Sequence, residues 1–291
     1  MASMSEDTLI YVGCQGWRYP DWRLASAEAV GDLSAPFYPP RLPAARELKH
    51  YARTFDLVEV DSTFYAVPQI RVVKNWATQV PETFRFTLKL PRTLTHEYRL
   101  ARGRATLSAF CECARPLGVQ LAAILIQLPP SFATDEFAAL ERFLPHLPAD
   151  LPFAVEFRDP AWLSERTVEL LAAHRIALTL GDTPWIPTPL ALAWLDRLPT
   201  DWLYLRLMGS KSNGLEHFTH RQFDRTDTLD AWAAAVWRLA EGGKRVYVLL
   251  DNHFEGFSPG SATLLVRKLG LAERPFPHDC PAESEQLGLE W

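Results

Sequence analysis

Eight short runs of Val, Ile, Leu and aromatic residues recur along the chain, at 9–12, 57–60, 84–90, 121–128, 153–157, 176–180, 202–207 and 246–250. Between them lie segments whose apolar residues repeat at helical spacing, at 44–53, 70–79, 106–116, 137–143, 166–173 and 229–240. The step from one run to the next averages about 34 residues, the size of a strand-helix-strand unit. An open doubly wound sheet and a closed (β/α)8 barrel both satisfy this alternation. The number of units, a length of 291 residues and the lack of a Gly-rich phosphate loop after the first run favour the barrel. No composition break divides the repeat, so one α/β domain is expected over 9–270, after a polar leader at 1–8. A Pro-containing tail at 271–291 is expected to pack outside the barrel. The sixth unit is the weakest, because Pro184, Pro187 and Pro189 crowd the start of a short helix at 190–195.

Composition narrows the function classes. Thirty basic residues against 35 acidic ones give a net charge of −5, so any anion site must be local. General nucleic-acid binding is disfavoured on the same ground. No run approaches the roughly 20 apolar residues of a membrane span, and the leader lacks a signal peptide's apolar segment. A cytoplasmic protein without membrane contact is expected. The four cysteines, at 14, 111, 113 and 280, match neither a disulfide framework nor a paired zinc motif.

Strand side chains alternate between the helices and the barrel axis. By parity, Glu59, Lys89, Gln127, Glu156, Arg158 and Arg206 point inward near the C-terminal ends of five strands, where barrel enzymes keep their chemistry. Glu59, Lys89 and Glu156 are the candidate catalytic groups, and Gln127, Arg158 and Arg206 the candidate substrate contacts. A purely structural role competes with this, since Glu59 and Lys89 on neighbouring strands can simply pair. The loops at this end add Trp17, Tyr65, His96, Asp182 and Asn252 as candidate binding residues, with further rings at Tyr19, Trp22, Phe64, Trp162 and Trp185. Long excursions at 15–42 and 208–226 follow the first and seventh runs.

Several motifs appear in order: Gly13-Cys14-Gln15-Gly16-Trp17-Arg18-Tyr19-Pro20, Glu59-Val60-Asp61-Ser62-Thr63-Phe64-Tyr65, Lys89-Leu90-Pro91-Arg92, Gln127-Leu128-Pro129-Pro130-Ser131-Phe132, Val155-Glu156-Phe157-Arg158, Gly181-Asp182-Thr183-Pro184 and Tyr204-Leu205-Arg206-Leu207. Together they resemble the YecE-like family, domain of unknown function 72, over residues 10–269. The resemblance implies a barrel of the triosephosphate-isomerase type and no particular reaction. Departures from the family pattern fall at Cys14-Gln15, usually Thr-Ser, at Asp61, usually Asn, at Met208, usually His, and around Asp251 and His253.

The residues fit three enzyme readings and one non-enzyme reading. In a hydrolase for a small anionic, phosphate-bearing substrate, Lys89, Arg158 and Arg206 would clamp the anion and Glu59 or Glu156 would act as base. In a glycoside hydrolase the two glutamates would be the acid and base, with rings as sugar platforms. Schiff-base chemistry on Lys89 would need a depressed pKa. The non-enzyme class is a small-ligand or single-stranded nucleic-acid binder. The donor set is too sparse for a multi-metal site and compatible with a single divalent cation.

Overall fold

The computed structural model describes residues 9–25, 33 and 36–277. Nine parallel strands, β1 (Ile10–Gln15), β2 (Leu57–Val60), β3 (Arg85–Lys89), β4 (Leu121–Gln127), β5 (Phe153–Glu156), β6 (Ala177–Leu178), β7 (Leu180–Asp182), β8 (Trp202–Leu207) and β9 (Arg245–Leu250), form one sheet in the order β6-β5-β4-β3-β2-β1-β9-β8-β7. Pairing of β1 with β9 joins the first strand to the last. The sheet's two ends, β6 and β7, are halves of one strand position broken at Thr179. The first half pairs with β5 (Val155 opposite Leu178) and the second with β8 (Gly181 opposite Arg206), while Thr179 N–H still donates to Val155 O at 2.8 Å. The result is a nearly closed eight-position barrel, as the spacing predicts.

Among the described residues, eight α-helices surround the sheet: α1 (Glu47–Tyr51), α2 (Ile70–Thr78), α3 (Arg104–Ala114), α4 (Phe137–Phe143), α5 (Glu165–Ala173), α6 (Thr188–Ala193), α7 (Thr226–Glu241) and α8 (Ser258–Lys268). On α7, Leu229, Trp232, Ala233, Val236 and Leu239 make the buried stripe that a 3.6-residue period requires. On α5, Ser164 caps the N-terminus by accepting from Thr167 N at 3.3 Å. The helical pattern does not reveal α8, because Pro259 and Gly260 stand in its first turn. Pro is tolerated there, where its missing N–H has no helical partner anyway, and Gly260 packs tightly against Phe257.

Period-2 alternation yields two cores. Outward residues such as Val58, Phe86, Ile124, Val155 and Leu205 pack under the helices, whereas Tyr11, Leu57, Leu125, Ala154, Tyr204, Tyr247 and Leu249 fill the barrel axis. At residues 271–277 the chain runs along the outside, with the Phe276 ring edge-on to Phe37 at 5.0 Å. Residues 1–8 and 278–291, the leader and most of the tail, lie outside the described residues, as does part of the 15–42 excursion. No described helix is long and apolar enough to cross a membrane.

Gly181 marks the tightest point of the sheet. A Cβ there would lie 1.9 Å from the Arg206 carbonyl oxygen, a backbone atom that cannot swing aside. Gly181→Ala is therefore expected to cost about 1–3 kcal/mol or more by forcing β7 off β8. An unchanged denaturant midpoint would contradict this account of the β7–β8 junction.

Candidate active site at the barrel mouth

The inward polar residues converge as parity requires, and Arg206 is their centre. It rises from β8 above the buried Tyr204, is 0% exposed, and all five of its N–H donors are engaged. Nε donates to Glu59 Oε2 (3.0 Å). Nη2 donates to Glu59 Oε1 (2.8 Å) and Gln15 Oε1 (2.9 Å), and Nη1 donates to Gln127 Oε1 (3.2 Å) and to Glu156 Oε2. Glu59 also accepts from the Tyr204 hydroxyl and from Lys89 Nζ at 2.9 Å. Arg206 thus has no donor left for a ligand, and both glutamates lie beneath the cavity floor.

Above this layer opens a cavity of about 740 Å³. Lys89, Arg92, His96 and Arg158 face it from β3, β5 and their loops, and Gln127 faces it from β4. Asp61, Asp251 and His253 face it after β2 and β9. Tyr19, Phe64, Tyr65 and Trp185 add rings, with Tyr65 74% exposed at the rim. His96 sits on a π-helical turn, Thr93–Glu97, a rare element often found at functional sites.

The electrostatics assign roles. For Glu59, burial opposes ionisation, but Arg206 and Lys89 outweigh it and hold the carboxyl at about 2. Glu156 is likewise lowered, with burial overcome by Arg206 and Arg158. Burial alone would lower Lys89, yet Asp61 and Glu59 raise it, so it remains an ammonium rather than a free-amine nucleophile. Asp61 is raised, by burial first and by nearby Glu59, against the pull of Lys89. His96 is lowered to about 4 by burial and by Arg158 and Arg92, which keeps it neutral near pH 7.

Three expected contacts lie away from the cavity. Trp17 packs edge-on to Trp76 at 6.1 Å, Asp182 is gripped by Arg225 through both carboxylate oxygens (2.7 and 2.8 Å), and Asn252 accepts from Trp22 Nε1 (3.1 Å) and Ser258 N (2.9 Å). Each is committed to holding a loop. Trp162, in a stack with Phe157 at 4.5 Å, is core as well. The glutamate pair also differs from the role of general acid. Both carboxyls are held ionised by the same guanidinium, so neither is placed to donate a proton as a glycosidase acid must.

Conversely, Asp61, Arg92 and His253 reach the cavity although they were not among the expected contacts, and Trp185 reaches it as one of the rings expected at this end. Parity was signal enough for Asp61, two residues beyond Glu59. Among the described residues, no three His, Cys, Asp or Glu side chains gather as a metal-ligand set.

Fold and site together define a single-domain α/β barrel with a polar cluster at its C-terminal mouth. The family model described as "Protein of unknown function DUF72" matches residues 11–286, and the chain belongs to that family. UPF0759 protein YunF of Bacillus subtilis (strain 168) is 27% identical over 295 residues, covering 91% of this chain and 98% of YunF. UPF0759 protein YecE of Escherichia coli (strain K12) is 31% identical over 157 residues, 54% of this chain, and the match spans about half of YecE, 51%. A solved DUF72 family protein from Thermotoga maritima MSB8 superposes with a TM-score of 0.70 at 25% identity, covering 90% of this chain and all of the other. One from Enterococcus faecalis V583 gives 0.69 at 22%, covering 90% and 96%.

Proposed function

We propose that this barrel is a hydrolase that binds a small anionic, phosphate-bearing substrate in the mouth cavity. The observation that carries the reading is the state of Arg158. Its Nε donates to Glu156 Oε1 (3.2 Å) and its guanidinium lies 4.0 Å from the centroid of the Trp185 ring, so the group is fixed in place. Its Nη groups have no acceptor among the described residues, and it lines the cavity. A fixed guanidinium with a free edge suits bidentate contact to a phosphate. Lys89 adds a second cation. Two of its three N–H donors go to Glu59 (2.9 Å) and Asp61 (2.5 Å), which leaves one for a ligand.

The anion clamp is therefore Lys89 and Arg158, with Arg206 beneath them as the support of the layer. The cations are gathered in the barrel mouth on a chain of net charge −5, which favours a small molecule over a nucleic acid. The test is a thermal-shift and phosphate-release panel of phosphorylated and neutral sugars on the wild type and Arg158→Ala. A ligand at 100 times its Kd adds about 2.7 kcal/mol, enough to detect. Loss of charge-assisted hydrogen bonds worth about 1.5–3 kcal/mol should weaken phosphorylated ligands roughly 10- to 100-fold in the variant. Stabilisation by neutral sugars alone would overturn the anion reading, and binding without turnover would leave a non-catalytic binding protein.

A further inference from the structure

We infer that His253 is the base that activates water in this cavity, positioned by Asp251. The inference rests on the hydrolase reading above and adds to it the group that takes the proton. That reading needs such a group, because Glu59 and Glu156 have their oxygens occupied by Arg206, Lys89, Tyr204 and Arg158.

Asp251 follows β9 directly and caps the 3-10 turn Asn252–Phe254. Its Oδ1 accepts the backbone N–H of His253 (2.7 Å) and meets His253 Nδ1 at 2.6 Å. A carboxylate only accepts, so Nδ1 carries a proton, and in the neutral ring the lone pair is then on Nε2. The ring is steadied on one side by Phe218, with centroids 5.0 Å apart, and Phe218 is itself held by its N–H to Asp21 (2.8 Å). Nε2 has no partner among the described residues, while the side chain is partly exposed and lines the same cavity as Lys89 and Arg158. A base oriented by a carboxylate, in the same cavity as an anion clamp, is an arrangement that serves water-mediated hydrolysis.

The step balances without a co-reactant. A water oxygen bonds to the phosphorus of a phosphate monoester as His253 Nε2 takes one of its protons. The ester P–O bond breaks, its electron pair leaves with the substrate oxygen, and that oxygen receives the proton from the imidazolium through cavity water. Hydroxyl ends on phosphate and hydrogen on the alcohol.

The test uses the full chain with p-nitrophenyl phosphate, glucose 6-phosphate and ribose 5-phosphate as substrates, and inorganic phosphate as the binding probe. His253→Ala should lower kcat about 10²- to 10⁴-fold with phosphate binding changed less than about threefold, and added imidazole should restore part of the rate. Asp251→Asn should lower kcat with KM retained. The partial exposure of His253 makes its variant tolerable to the fold, which circular dichroism and Tm would check. Wild-type turnover that survives intact in His253→Ala overturns the base assignment and leaves the hydrolase reading standing. A loss that imidazole does not rescue, or one matched by an equal loss of phosphate binding, also overturns it. Phosphate binding with no release from any of the three esters by the wild type removes the hydrolase reading and this inference with it.

Discussion

Arg206→Ala should destabilise the protein by about 3–5 kcal/mol, because it leaves two carboxylates, Glu59 and Glu156, buried without their shared cation. The guanidinium occupies the barrel axis at the level where Gln15, Glu59, Gln127 and Glu156 meet. Its removal also opens a void beside Tyr204, and burial then works against each ionised carboxylate that it formerly held. Chemical denaturation of wild type and variant measures the loss directly. A drop below about 1 kcal/mol would mean that Lys89 and water compensate, and the axial network would lose its structural role. A second variant separates charge from shape: Arg206→Met combined with Glu59→Gln and Glu156→Gln should recover much of the loss, since the axial layer is then neutral and of similar volume, while Lys89 keeps Asp61 as its partner and Arg158 faces the cavity. Anion binding at Arg158 should respond more weakly than stability in the single variant, because Arg158 is fixed through Trp185 as well as through Glu156.

The barrel was legible because its signal is repetitive. Parity turned Glu59, Lys89, Gln127, Glu156 and Arg206 toward the axis and Arg158 toward the mouth, since a one-residue slip would bury these charged groups under the helices. Depth along the axis was not legible. Alternation says which way a side chain points and nothing of how far it stands from the mouth, so Arg206 reads as a clamp although four other strands close over it. Loops were harder still. Asp182 and Asn252 sit beside strand ends as catalytic groups do, but their partners Arg225 and Trp22 are 43 and 230 residues away in sequence. Those pairings are tertiary facts that no local pattern contains. His253 is the converse case, a loop residue whose orientation comes from Asp251 and from packing against Phe218. The structural reading of the Glu59–Lys89 pair and the functional one also prove compatible. The lower layer is an ion-pair network, and Lys89 belongs both to it and to the cavity.

Acid should unfold this protein in two stages, set by groups that the fold keeps in one protonation state. Burial and the neighbouring arginines lower His96 from 6.5 to about 4, so the fold holds it neutral while the unfolded chain takes up a proton. Its contribution is present above pH 6.5 and fades as pH falls through about 4, reduced in size because the ring is half exposed. Glu59, fully buried, is lowered from 4.5 to about 2, with burial outweighed by Arg206 and Lys89. Its contribution is complete above pH 4.5 and is lost as pH falls through about 2, and the shift corresponds to about 3 kcal/mol. Asp61, raised in the fold, acts in the opposite sense. It favours the folded state at low pH and loses that contribution as pH rises through its folded value, so it blunts the lower stage without cancelling it. Urea unfolding across this range should give a stability that declines gently below neutrality and steeply below pH 4.5. His96→Gln should flatten the upper branch alone. Glu59→Gln should make the lower branch shallower at a lower overall stability, because Glu156, also held ionised by Arg206 and Arg158, supplies the rest of that branch. A stability that stays level down to about pH 2.5 would show that the carboxylates beneath the cavity are not held ionised, and the axial network would have to be assigned a different charge state.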